Sequence, residues 1–362
     1  MESNNIASNN FLWTDVNWSA LQRLRARFLQ FDPRDQRDTA PGGKNAAAQE
    51  QPKSEAPPAA PDRTDYWRSH SELASYDFTF AERIGWKWDT VLAELKTRGW
   101  TPPEGTVLDW GCGTGVAGRR VAEAWPQQVR TLCYADRSGP AHHFAAARAR
   151  AAFPDLVVKS SPGADIVPDV LVLSHVINEL NPESVERLLA LVEKAQVVIW
   201  IEPGTSPVSR QLIAIRERLL GRFRVIAPCT HQAVCGMLTP GNERHWCHHF
   251  ARVPGYVHTD PGWGRFAQTL EIDLGSVPFS YLVLDRRPAV ADQDPAEARV
   301  IGVPRYYKGF AKVLSCQADG VKELILQKRD ALELLKAMKK APGSLYRWER
   351  EGEKIRGGEQ IF

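Results

Sequence analysis

No apolar run in these 362 residues approaches the roughly 18 that a membrane-crossing helix needs, so no membrane partner is expected. Cysteine is scarce. Six in the whole chain do not make a disulfide scaffold, and a reducing compartment is the simpler setting. The opening Met1-Glu2-Ser3-Asn4-Asn5 lacks the basic and apolar regions of a secretory leader, and its acid argues against a transit peptide. These absences point to a bacterial cytoplasm in preference to a mitochondrial matrix. Charge of one sign is missing too: the net is only +3 with 43% hydrophobic residues, a globular composition, and no DNA partner is expected.

What is present centres on Val107-Leu108-Asp109-Trp110-Gly111-Cys112-Gly113-Thr114-Gly115. Two apolar residues run into an acid and three alternate glycines, and an amphipathic helical pattern follows, as in a strand, a tight turn and a helix. Glycine admits φ > 0 and lets a ligand approach the main chain, while the first amides of the next helix face outward. The dinucleotide fingerprint G-x-G-x-x-G is not met; the spacing here is G-x-G-x-G after an acid. That form resembles the first motif of class I S-adenosylmethionine-dependent methyltransferases, which implies that Asp109, Gly111, Gly113 and Gly115 hold the methionine end of the cofactor. A purely structural glycine turn is the alternative.

In chain order, residues 18–31 read as a short helix packed on the main body, with Trp18, Leu21, Leu24, Phe28 and Leu29 near one face. Residues 1–31 are thus an N-terminal helical segment, and 32–63, rich in Pro, Gly, Ala, Gln and charge, a flexible linker. Residues 64–228 form the core. A helix is expected over 80–98, where Ile84, Trp88, Val91, Leu92 and Leu95 recur at helical spacing. Strands over 131–135, 156–159, 170–173 and 197–201 alternate with helices near 140–152 and 183–194, and another follows over 208–220. The alternation predicts an α/β fold with a doubly wound, Rossmann-like, mostly parallel sheet.

Ligands of such sheets bind beyond the carboxyl ends of the strands. Asp136 closes the second strand about 25 residues past Gly111, where an acid accepts hydrogen bonds from both ribose hydroxyls. The fourth strand runs into Ser174-His175-Val176-Ile177-Asn178-Glu179-Leu180, where a methyl acceptor would lie. Ser174 is counted with the cofactor-binding residues. His175 is the candidate catalytic base, since an imidazole takes a proton near neutral pH; a structural hydrogen-bonding histidine is the plainer reading. The fifth strand ends in Glu202-Pro203-Gly204-Thr205, facing the same cleft.

Residues 229–265 form a cysteine-rich loop. Cys229, Cys235 and Cys247 share a short span with His231, His245, Trp246, His248 and His249, and Cys316 lies farther on. Soft ligands clustered in a reducing compartment suggest a metal centre, but paired C-x-x-C knuckles are absent and the metal's identity stays open, zinc included. Cys112 and Cys133 read as ordinary buried residues. Residues 266–362 form a small β-rich segment, with strands expected over 267–274, 279–284, 300–303, 311–315 and 323–327. From Val300 onward there are 13 Lys and Arg against 8 Asp and Glu, and Arg305-Tyr306-Tyr307-Lys308 interleaves cations with rings. That suits RNA contact, or merely a solvated face with ordinary packing.

Taken together, Asp109-Trp110-Gly111-Cys112-Gly113-Thr114-Gly115, Ser174 to Leu180, Glu202-Pro203-Gly204-Thr205, Ala227-Pro228-Cys229 with Cys235, and Trp246-Cys247-His248 resemble the mitochondrial small-ribosomal-subunit methyltransferase-like family and its bacterial relatives. The likeness spans about residues 66–348. It implies a class I methyltransferase fold, a 4Fe-4S cluster held by Cys229, Cys235, Cys247 and Cys316, and association with the maturing small ribosomal subunit or its RNA. On that reading the cluster is a structural staple between the C-terminal segment and the core.

Three functions are compatible with these features: an S-adenosylmethionine-dependent methyltransferase acting on ribosomal RNA, a ribosome-assembly factor that keeps the fold without turnover, and a small-molecule methyltransferase. The Asn/Asp-Pro-Pro-Tyr motif of many amino-group methyltransferases is absent, which leaves the acceptor atom undefined.

Overall fold

Three consecutive apolar runs, Val170 to Leu173, Val197 to Ile201 and Phe279 to Leu284, are buried throughout. Runs without polar alternation belong to strands covered on both faces, and these form the centre of the larger sheet. The computed structural model describes residues 11–28, 67–161, 163, 166–288, 294–341 and 343–362. Its N-terminal helix α1 (Trp18–Phe28) buries Leu21 and Leu24 against the body, as expected. The expected linker at 32–63 and the last residues of the expected first helix lie outside the described residues.

A helix α2 (His70–Tyr76) runs through one π turn (Asp77–Ala81) into α3 (Glu82–Thr97), so the helix expected over 80–98 is longer than its apolar spacing suggested. Asp77 explains the irregular turn, for its carboxylate reaches Arg119 at 2.6 Å and Arg148 at 3.2 Å on neighbouring helices. There follow β1 (Gly105–Trp110), α4 (Val116–Ala124), β2 (Val129–Ala135), α5 (Gly139–Ala152), β3 (Val157–Ser160), β4 (Val170–Ser174), α6 (Pro182–Val192), β5 (Val197–Pro203), α7 (Ser206–Leu219), β6 (Arg224–Ala227), the two-residue β7 (His249–Phe250), α8 (Pro261–Leu270) and β8 (Pro278–Asp285). The sheet order is β3-β2-β1-β4-β5-β8-β6, with β7 paired to β8. Its first five strands are parallel and β8 runs antiparallel to both β5 and β6. One apolar core lies on each face.

Two expectations are corrected. The first half of the strand expected over 267–274 is the end of α8, where Asp260 caps the Gly262 amide at 2.8 Å, Pro261 opens the helix, and Trp263, Phe266 and Leu270 bury one face, and the second half is loop. The strand expected over 279–284 exists as β8, but in the main sheet and not in a C-terminal one. Its buried, nearly continuous apolar run needs cover on both faces, and the two cores of the main sheet supply it.

The C-terminal part is a second sheet of β9 (Glu297–Val300), β10 (Arg305–Tyr307), β11 (Phe310–Gln317), β12 (Gly320–Gln327), β13 (Leu345–Glu351) and β14 (Lys354–Gln360), with α9 (Leu332–Lys340) between β12 and β13. The strand expected over 300–303 falls earlier, in β9, because Gly302, at φ +66°, interrupts it. The order β10-β11-β12-β14-β13-β9 closes, since β9 also pairs with β11. With β9 and β10 taken as one interrupted strand, this is a five-stranded barrel of order 1-2-3-5-4, its third and fifth strands parallel and a helix between the third and fourth. That is the OB topology. Val313, Leu324, Leu326, Tyr346, Trp348 and Ile355 fill it.

The barrel is fixed to the core by a buried ion pair. Arg299 of β9, 1% exposed, bonds Glu94 of α3, with Nη1 at 3.0 Å from Oε2, and donates to the Pro228 carbonyl at 2.7 Å and the Ser344 hydroxyl at 3.0 Å. Tyr281 of β8 donates to the same carboxylate at 2.6 Å. Burial, the largest single effect, would raise the Glu94 carboxyl, but the Arg299 charge and hydrogen bond, the Arg98 charge and the Tyr281 hydrogen bond together outweigh it and hold the group below the usual range.

Candidate functional site

The glycine turn sits at the carboxyl end of β1, between β2 on one side and β4 on the other. Strand order reverses there, which opens the crevice where doubly wound sheets bind ligands. Gly113 has φ +51° and nothing within 4 Å of where a Cβ would be, so its main chain is open to a ligand. Gly115, at φ +81°, is closed instead: a Cβ would lie 2.6 Å from the Ala145 Cβ, and the missing side chain lets α4 approach α5.

Asp136 stands at the end of β2, as expected, and binds across the crevice mouth. Its carboxylate accepts from the Gly113 amide at 2.8 Å and from the Ser138 amide at 2.8 Å, and burial raises its pKa. Asp109 is placed differently from the open turn residues. It is wholly buried, one oxygen accepting from the Gly118 amide at 2.8 Å and the other lacking a hydrogen-bond partner among the described residues. Burial pushes its carboxyl up to about 7, against the lowering effect of the Gly118 amide. An acid in that state anchors the start of α4 and keeps one acceptor unused.

At the end of β4, α3 supplies groups that the sequence reading passed over. Trp88 Nε1 donates to the Ser174 hydroxyl at 3.1 Å, and Lys87 Nζ lies 3.1 Å from His175 Nε2. Burial, aided by Arg83, lowers the Lys87 ammonium to about 7, while burial and the Lys87 charge drive the His175 imidazole well below its ordinary value. His175 is therefore neutral at physiological pH, and it sits at φ +58°, a conformation costly for a side-chain-bearing residue and concentrated at functional sites. Glu202, at the end of β5, holds this segment: one oxygen accepts from the Val176 amide at 3.0 Å, the Ile177 amide at 3.1 Å and Trp200 Nε1 at 2.7 Å. Its buried second oxygen has no partner among the described residues, and burial raises the group to about 7. A signal for Lys87 was available: it is a lysine on the apolar stripe of a helix, three residues after Ile84 and four before Val91.

The four cysteines singled out are brought into one neighbourhood, whereas Cys112 and Cys133 lie in the two separate cores of the main sheet. Cys235 follows β6, Cys247 precedes β7, and Cys316 reaches them from β11 of the barrel, packed with Ile213, Met237 and Ile301. Burial pushes the Cys247 and Cys316 thiols up, and the charges of the neighbouring cysteines add to it. Cys235 rises to about 11 from burial and the nearby Cys229. Two cations oppose this: Arg216 Nε lies 3.3 Å from the Cys229 sulfur, and Arg299 acts on Cys247 and Cys316. Imidazoles border the group, His231 at 3.5 Å from the Cys316 sulfur and His249 at 3.6 Å from that of Cys247. Among the described residues no three His, Cys, Asp or Glu side chains form a group that could hold a single metal ion.

A sheet of order β3-β2-β1-β4-β5-β8-β6 in which β8 runs antiparallel to β5 and β6, with an acid at the end of β1, alternate glycines after it and an acid after β2, defines a class I S-adenosylmethionine-dependent methyltransferase fold. The family model for mitochondrial small ribosomal subunit Rsm22 matches residues 87–351, and the chain belongs to that family. No curated protein sequence matches it. Among solved structures it is similar to magnesium protoporphyrin IX methyltransferase from Synechocystis PCC 6803 with bound S-adenosylhomocysteine, at 14% identity over 59% of this chain and 87% of that one, with a TM-score of 0.35. A candidate RNA methyltransferase from Pyrococcus horikoshii is similar at 13% identity over 60% of this chain and 86% of that one, with a TM-score of 0.34. The plantazolicin methyltransferase BpumL matches at 16% over 60% and 90%, with a TM-score of 0.33. At these scores the fold assignment rests on the strand order itself.

Proposed function

We propose that the protein is an S-adenosylmethionine-dependent methyltransferase directed at small-subunit ribosomal RNA, with a 4Fe-4S cluster as a structural element. The observation that carries the first part is the carboxyl end of β1 and β2, where the open Gly113 main chain and the Asp136 carboxylate meet. These groups fit the cofactor. Asp136 would take the ribose hydroxyls, the open main chain at Gly113 would let the cofactor approach, and the Asp109 segment would keep the turn in register with α4. S-adenosylmethionine supplies a methyl group on a sulfonium, and its displacement depends chiefly on alignment. The chain's contribution is to position an acceptor at the end of β4, where neutral His175 lies beside Lys87 and Glu202 holds the segment that follows.

The donor set at Cys229, Cys235, Cys247 and Cys316 also fits its group. A polynuclear cluster bonds each thiolate to a different iron and so asks less convergence than a single ion, and Arg216 and Arg299 lower the cost of buried negative charge. When bound it would tie the barrel to the methyltransferase core. A second reading, an assembly factor without turnover, has one observation in its favour: Ser174 and His175 are already bonded by α3.

The test begins with anaerobically purified protein. Calorimetric titration with S-adenosylmethionine, iron and sulfide analysis, and transfer of labelled methyl groups to purified small-subunit RNA are expected to be positive. No cofactor binding overturns the crevice reading; binding without transfer moves the protein to the second reading. One equivalent of zinc with no sulfide removes the cluster.

A further inference from the structure

The barrel leaves half of one face uncovered. Along β11, Ala311, Val313 and Ser315 point inward, while Phe310, Lys312, Leu314 and Cys316 point outward. The outward residues divide in two. Leu314 and Cys316, with Val321 of β12, pack against the cysteine-rich insertion, and Gly236 approaches so closely that a Cβ there would lie 2.6 Å from the Val321 amide. Phe310 and Lys312, opposite Gln327 and Ile325 in the β11–β12 register, carry on past the insertion's edge toward solvent.

At that open end the β10–β11 hairpin and the turn from β12 to α9 enclose a groove of about 540 Å³, lined by Lys308, Phe310, Gln327, Lys328, Arg329 and Leu332. Tyr307, 47% exposed, stacks on Phe310 with ring centroids 4.7 Å apart and planes 9° apart. Among the described residues neither the Lys308 nor the Lys328 side chain is in an ion pair, whereas Lys312 is neutralised by Glu323 at 2.6 Å. Tyr306 takes no part, because its hydroxyl is spent on the Met338 carbonyl at 2.8 Å.

We propose that this end of the barrel binds single-stranded RNA, with bases stacking on the Tyr307 and Phe310 rings and the backbone tracked by Lys308, Lys328 and Arg329. The inference deepens the RNA-directed reading and rests on it. A flat exposed ring pair accepts any base, and unpaired lysines on both sides of a groove suit phosphates on both sides of that base. The second and third strands of an OB barrel and the loop between its first two are where that fold takes oligonucleotides, and Phe310, Gln327 and Lys308 occupy those positions. A duplex offers no bases to stack and is not the expected ligand.

The test uses the full chain, purified with its metal content preserved, and the fluorescence anisotropy of a labelled 12-nucleotide oligouridylate. Tyr307→Ala is expected to weaken binding roughly 5- to 100-fold, the range for losing one stacked base. Lys308→Glu with Lys328→Glu should weaken it further and lower the slope of log affinity against log salt by about 1 to 2. Titration with S-adenosylmethionine should be unchanged in each variant. Three results overturn the proposal: no binding of the single strand by the parent protein, binding that neither Tyr307→Ala nor the charge reversals reduce, or equal competition by heparin with no effect of Tyr307→Ala, which would mark a merely cationic surface. If Tyr307→Ala melts early, Tyr307→Phe, which keeps the stack and should retain affinity, and the lysine reversals still decide. Methyl transfer to small-subunit RNA that survives in Tyr307→Ala alongside undiminished oligonucleotide binding would refute the barrel site while leaving the RNA-directed reading intact.

Discussion

Replacing Arg299 by methionine should be the most damaging single change available outside the crevice. The substitution keeps most of the side chain's bulk but leaves the Glu94 carboxylate fully buried, with only Arg98 at 3.3 Å and the Tyr281 hydroxyl to compensate. Breaking one side of a buried pair costs about 3–5 kcal/mol, because the remaining charge stays desolvated. At roughly 2–4 °C per kcal/mol for domains of this order, the melting temperature should fall by about 6–20 °C. The pH dependence gives the argument its sign. In the parent protein Glu94 ionises below its ordinary 4.5, so its contribution is present above that value and is lost as pH falls through the lower folded value. In Arg299→Met the carboxyl is left to burial, which raises it, so the variant's deficit should shrink from pH 7 toward pH 5. Glu94→Leu combined with Arg299→Met removes both charges and should recover much of the loss. Urea unfolding at the two pH values measures all of this. A deficit below about 1 kcal/mol at pH 7, or one that grows on acidification, would refute the account.

Other consequences are separately measurable. Asp109→Asn should stabilise the ligand-free protein at pH 8, by an upper bound of about 4 kcal/mol, since a carboxyl raised from 3.8 to about 7 loses stability as pH rises between those values; melting curves should converge below pH 4, and S-adenosylmethionine affinity should drop. Asp136→Ala removes the acceptor at the crevice mouth and is expected to cost at least tenfold in cofactor affinity by calorimetry, with the melting temperature little changed. Cys316→Ser should lower iron and sulfide content and increase amide exchange in β9 and β11, while Cys133→Ser, in a separate core, should leave the metal analysis unaltered. Lys87→Met should shift the pH profile of methyl transfer, because the group beside His175 titrates near 7 and its loss removes that limb.

The parallel half of the main sheet was legible because its central strands β4 and β5 are apolar runs and its turns carry glycine or capping signals. The structure sets Asp136 beside the glycine turn and gathers the four cysteines in one neighbourhood, placements that strand ends and local clustering in the sequence suggest. Three things were not legible. The partner of Lys87 is one: its place on the apolar stripe marks it for burial, but only the packing of α3 across the end of β4 sets it beside His175. The membership of β8 in the first sheet is set by pairing with β5, distant in sequence, and an apolar run alone does not say which sheet it joins. The barrel closes through β9 meeting both β11 and β13, a property of register over separations that composition does not record. Asp109 was read as a ligand-facing acid, and its burial shows that a motif's spacing locates a turn without specifying which way each side chain looks.

One arrangement in the main sheet bears on how tolerant this molecule is of change. Strands β6 and β8 are direct neighbours, and the fifty residues between Ala227 and Pro278 leave the sheet and touch it at β7 before returning to it. The entropy of such an excursion grows only logarithmically, about 0.6 kcal/mol for each doubling of its length. Lengthening or shortening it therefore barely taxes the strands it departs from. Under the proposed cluster the constraint falls on the spacing of Cys229, Cys235 and Cys247 within it, and length variation among related chains should accumulate between β7 and the start of α8.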